Sequence, residues 1–90
     1  MILPAFEWDE AKSRANKVKH GIDFVEAQAL WLDRRLVEAP TRSEAESRSV
    51  VVGVIAGRHW SAVVTYRGEV IRLISVRRSR FREVQAYEGE

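Results

Sequence analysis

Two short turns fix much of what this chain can become. Three runs rich in β-branched and aromatic residues, Ser49 to Ile55, Trp60 to Tyr66 and Val70 to Val76, are separated only by Ala56-Gly57-Arg58 and Arg67-Gly68-Glu69. A parallel connection needs a crossover of about a dozen residues or more, so runs this close together must pair antiparallel, as a meander. The run Leu36-Val37-Glu38 is expected as an edge strand, and Pro40 to Ser47 as a polar loop.

The N-terminal part has a different period. Asp9 precedes Glu10 to His20, which contains no helix breaker before Gly21, so a helix with both ends marked is expected there. Trp8, Ala11, Ala15 and Val18 recur at spacings of three and four and predict its buried stripe, with Lys12, Asn16, Lys19 and His20 on a polar face. Asp23 caps a second, shorter helix with Glu26 at the capping-box position and Phe24, Ala27, Leu30 and Trp31 inward. Ser79 is expected to cap a third, carrying Phe81, Val84 and Tyr87. Trp8, Phe24, Trp31 and Phe81 are the expected aromatic core. The class is α+β, an antiparallel sheet with the N-terminal helices and the C-terminal helix packed on one face. Ninety residues suffice for one hydrophobic core, so residues 1–90 are expected to form a single domain.

Cysteine is absent, which removes disulfides and thiol chemistry and suits a reducing cytoplasm. No window approaches the roughly 20 apolar residues that span a bilayer, and Met1 to Phe6 has no basic segment of the kind that begins a signal peptide, so neither membrane nor export is expected. The net charge of +2 is unevenly placed: residues 1–45 hold 7 basic and 8 acidic side chains, residues 46–90 hold 8 and 5. Arg67, Arg72, Arg77, Arg78, Arg80 and Arg82 fall within residues 67–82, where the one acid is Glu69. Arginine's planar fork matches phosphate oxygens, so this half reads either as a phosphate-binding patch or as a solvated surface.

No phosphate loop and no nucleophile elbow is present, and His20 and His59 lie on separate elements without companion ligands. No metal or cofactor is expected. Lys19, His20, Arg48, Tyr66, Arg72, Ser75, Arg77 and Arg78 remain, a set suited to phosphodiester chemistry. RNA supplies its own nucleophile in the 2′-hydroxyl, and the protein has to orient it, move protons and stabilise the phosphate oxygens. Arginine stays protonated and is therefore a poor general base, so either His20, Lys19 or Tyr66 moves the protons or the rate rests largely on orientation and charge. In a regular strand Arg72 and Arg77 point to opposite faces, so they share a site only if the strand twists, bulges or ends between them. Each residue also has a structural alternative. Lys19 and His20 complement the helix dipole, and Ser75 is equally a buried hydroxyl bonded to a neighbouring strand.

Phe6-Glu7-Trp8-Asp9-Glu10-Ala11-Lys12, Asn16, Lys19-His20-Gly21-Ile22-Asp23-Phe24, Glu46-Ser47-Arg48, Gly53, Arg67-Gly68-Glu69, Ile71-Arg72-Leu73-Ile74-Ser75-Val76-Arg77-Arg78, Arg82-Glu83 and Tyr87 together resemble the BrnT family of type II toxins. Val76 stands where that family commonly has alanine, and Tyr66 follows Thr65 where the family has a tyrosine before the threonine. The resemblance implies a RelE-like fold and a metal-independent endoribonuclease that cleaves RNA and arrests growth. It also implies a ribbon-helix-helix antitoxin of the BrnA type as partner, with operator DNA reached only through that complex. On this basis Lys19, His20, Arg72, Ser75 and Arg77 are expected at the catalytic site, and Arg48, Tyr66, Arg78 and Arg80 as RNA contacts. Arg72 and Arg77 also suit an acidic antitoxin. The alternatives are a toxin of similar fold aimed at a protein such as gyrase, and an inactive module that binds antitoxin or DNA.

Overall fold

The structure, a computed structural model, describes residues 3–40 and 47–89. The order is β1 (Ala5–Glu7), α1 (Glu10–His20), α2 (Phe24–Ala27) continued by a 3-10 helix (Gln28–Leu32), β2 (Val37–Pro40), β3 (Arg48–Ile55), β4 (Arg58–Arg67), β5 (Val70–Arg78) and α3 (Phe81–Glu88). One five-stranded sheet runs β1-β5-β4-β3-β2. The expected meander forms its centre, and Leu36-Val37-Glu38 contributes to the expected edge strand β2. Most of the expected polar loop, residues 41–46, lies outside the described residues. Strand β1, which no residue pattern foretold, pairs parallel with β5 over three residues and brings Glu7 beside Arg72.

Helix α1 has its expected ends. The Asp9 carboxylate accepts the N–H groups of Ala11 and Lys12, and Gly21 closes the helix in the left-handed region at φ 82°. Its expected buried stripe is corrected. Ala11 and Ala15 are exposed, and Val18 is 89% exposed, whereas Ser13 and Asn16 are buried. Both bond the backbone of neighbouring elements. Ser13 Oγ accepts the Phe24 N–H. Asn16 Oδ1 accepts the Val76 N–H, while its Nδ2 donates to the carbonyls of Val76 and Ile22. Past the end of β1, the Asn16 amide thus stands in for a strand partner at the free edge of β5, and these bonds orient α1 more strongly than burial of two alanines and a valine would.

Asp33 plays the same part at the other edge. Beyond β2 its Oδ2 accepts the Val54 N–H at 2.8 Å and the Tyr87 hydroxyl at 2.7 Å, and its Oδ1 accepts the Arg35 N–H. Burial pushes its carboxyl up, but these bonds outweigh burial and hold it below the usual aspartate value. The capping box of Asp23 and Glu26 forms as expected. Phe24, Ala27 and Leu30 are fully buried against Val51, Ala62, Val64, Leu73 and Val76, with Trp8 and Trp31 partly buried around them. Gly53 leaves room for them, since a β-carbon would meet Leu36 Cδ1 at 2.9 Å and Leu30 Cδ2 at 3.0 Å and force those side chains to shift.

Helix α3 differs from expectation in three ways. It begins over Ser61 and Arg77, which alternate with the core residues Ala62 and Val76, so it lies on the opposite sheet face from α2 rather than sharing one face with it. Arg80, not Ser79, holds the cap position; Glu83 accepts the Arg80 N–H, and the Ser79 hydroxyl bonds that of Ser61. Phe81 is 76% exposed because Glu83, bonded to Arg77 and Ser61, and Tyr87, packed edge-on against His59, fix which side of the helix faces the sheet.

Candidate functional site

A break in the ladder builds the site. The β4–β5 register shifts between Val63 and Val64: Val63 pairs with Ser75, Val64 with Leu73, and Ile74 is the extra residue. Leu73 and Val76, three apart, thereby both enter the core. By the same shift Arg72, Ser75 and Arg77 come to one face, opposite Thr65, Val63 and Ser61. The bulge meets the condition under which the sequence allowed Arg72 and Arg77 to share a surface.

That face has two parts. At the β3–β4 hairpin end α3 closes it. Arg77 donates to Glu83 through Nη1 at 2.7 Å and Nη2 at 2.8 Å, and Ser61 donates to the same carboxylate at 2.8 Å. The Arg77 bond, opposed by burial and helped by the Arg80 N–H and Ser61, draws the Glu83 carboxyl down to about 2. Toward the other end a groove of about 440 Å³ is lined by Lys12, Ser47, Arg48, Thr65, Tyr66, Arg67, Arg72 and Ile74. Arg72 Nη1 donates to Glu7 Oε2 at 3.0 Å, and Arg67 Nε lies 3.7 Å from the same oxygen.

Of the expected residues, the groove brings together Arg48, Tyr66 and Arg72. Ser75 and Arg77 share their face, but Arg77 is engaged with Glu83. Arg78 lies over the Trp60 ring, 5.5 Å from its centroid, and donates to the His59 carbonyl. Arg80 caps α3. Lys19 is exposed and His20 half-buried in the last turn of α1, and neither lines the groove. Tyr66 donates its hydroxyl to Glu38, and partial burial together with that carboxylate pushes the phenol well above its usual value. Lys12 and Thr65 line the groove without having been singled out as site residues, and Arg67 without a role beyond the basic cluster. The signal for Thr65 and Arg67 was their alternation on β4; for Lys12 it was its polar helix face and its place at the end of the stretch from Phe6 to Lys12.

The chain is thus a small basic α+β protein with a groove lined by cationic side chains beside its sheet. The sequence model of a family described as the ribonuclease toxin BrnT of type II toxin-antitoxin systems matches residues 8–83, and the chain belongs to that family. The match bears out the family resemblance over residues 8–83 and implies an antitoxin partner and RNA as target. No curated protein matches the chain at a significant level. Among the described residues, no helix is long and apolar enough to cross a membrane.

Proposed function

We propose that this protein is a metal-independent endoribonuclease toxin with a RelE-like frame, which arrests growth in the cytoplasm and is neutralised by a ribbon-helix-helix antitoxin of the BrnA type. What supports this reading is the gathering of Lys12, Arg48, Arg67 and Arg72 along one groove, on the face that also carries Ser75. Cations at this density suit successive phosphates of a single strand. Arg72 and Arg48 bind the scissile phosphate and stabilise charge as the 2′-oxygen attacks phosphorus and the 5′-oxygen departs, leaving a cyclic phosphate. Ser75 contacts a phosphate oxygen. His20 lies one helical turn beyond Asn16, on the helix side that meets the β5 edge, and with Lys19 is the proposed source of proton transfer. The Tyr66 phenol stays protonated at neutral pH and serves as a contact rather than a base. Arg77 acts through the fold by docking α3, and Arg78 and Arg80 extend the basic rim.

The test is labelled RNA incubated in EDTA with the wild-type protein and with Arg72→Ala prepared identically. Cleavage by the wild type, reduced at least about a hundredfold in the variant, is the expected result. Intact RNA in both, or equal cleavage by both, contradicts the assignment.

A further inference from the structure

Glu7 is a carboxylate bonded to a cation that lines the groove, and its position is specific. It ends β1, stands in register with Arg72 on the parallel neighbour β5, and places Oε2 3.0 Å from Arg72 Nη1 and 3.7 Å from Arg67 Nε. The Arg72 side chain is 29% exposed and that of Glu7 35%, so the pair is only partly screened by water. A guanidinium carries five N–H donors in a rigid plane, and holding one of them on a fixed carboxylate sets the direction of the rest. A negative charge at the same place also repels an incoming phosphate. These two effects act oppositely on binding and on turnover.

We propose that Glu7 is a positioning residue for RNA cleavage: it holds the Arg72 guanidinium in the plane that meets the phosphate, at a cost in ground-state affinity. The inference rests on the ribonuclease reading of the groove. Removing the charge lets RNA bind more tightly while leaving Arg72 free to sample orientations that do not stabilise the transition state.

The experiment measures kcat and KM on labelled RNA for the wild type, Glu7→Gln, Glu7→Asp and Arg72→Ala, with thermal melts to show that each is folded. For Glu7→Gln the expected result is a KM lowered roughly threefold and a kcat lowered about tenfold or more. Glu7→Asp recovers part of kcat. If Glu7→Gln leaves kcat unchanged or raises it while Arg72→Ala is inactive, Glu7 is a repulsive surface charge; the inference falls and the ribonuclease reading stands. If Glu7→Gln raises KM and lowers kcat together, the pair serves to support the groove, and the inference again falls. A wild type that leaves RNA intact, or an Arg72→Ala variant as active as the wild type, overturns the groove reading and this inference with it.

Discussion

Arg72 and Arg77 sit on the same strand and the same face, yet their surroundings differ in kind. Arg77 makes two short bonds to a carboxylate that also receives Ser61 and the Arg80 backbone, under the first turn of α3. Arg72 makes one bond to Glu7 and lines a groove shared with three more cations. The comparison teaches that an arginine's role is set by how completely its donors are matched. A guanidinium held by two short bonds to a carboxylate beneath a helix fastens elements together, and one held by a single bond beside a groove has more donors left for a phosphate.

The widest separation between the two comes from removing the Glu83 carboxylate. Glu83→Ala strips Arg77 of its partner in a largely enclosed setting, where the Arg77 and Glu83 side chains are 20% and 19% exposed, and is expected to cost about 3 kcal/mol in urea unfolding. Glu7→Ala is expected to cost less than about 1 kcal/mol. A double-mutant cycle sharpens the contrast, with about 2 kcal/mol of coupling for Arg77 with Glu83 and about 0.5 kcal/mol for Arg72 with Glu7. Equal couplings would erase it.

Acid probes the closed half through Glu83. The folded pKa of Glu83, about 2, lies below its ordinary value of 4.5, so its contribution is complete above the unfolded value and fades as pH falls toward 2. The stability gap between the wild type and Glu83→Gln is therefore expected to be constant near neutrality and to shrink below about pH 4.5, as read from denaturant melts across pH. Asp33, also depressed, acts in the same direction. The smallest effect lies at the hairpin beneath the closed half. Ala56 takes φ 51° beside Gly57 at φ 80°, a turn that favours Asn-Gly, so Ala56→Asn is expected to raise stability by about 0.5 to 1 kcal/mol in the same melts without altering RNA cleavage.

Much of this was legible in the residues. Asp9, Gly21, the Asp23 capping box and the two tight turns act locally, and each element they predict is present. Hydrophobic periodicity failed on α1 because Ser13 and Asn16 are buried for their hydrogen bonds, which an apolar count cannot register. It failed on Phe81 because Glu83 and Tyr87 set the orientation of α3 through partners distant in sequence. Strand β1 is three residues long and finds its partner 65 positions away, as the Glu7–Arg72 register shows. The arginines of the candidate site were visible, whereas their division was not, since it depends on a bulge at Ile74 and on carboxylates from β1 and α3.

The most direct test of that division is a side-by-side measurement of urea stability and RNA affinity for Arg72→Ala and Arg77→Ala, using a non-cleavable 2′-O-methyl strand. The account predicts a crossing: Arg72→Ala keeps its stability to within about 1 kcal/mol and loses RNA, while Arg77→Ala loses about 2 kcal/mol or more and its folded fraction still binds. An Arg77→Ala protein as stable as the wild type but unable to bind RNA would contradict it.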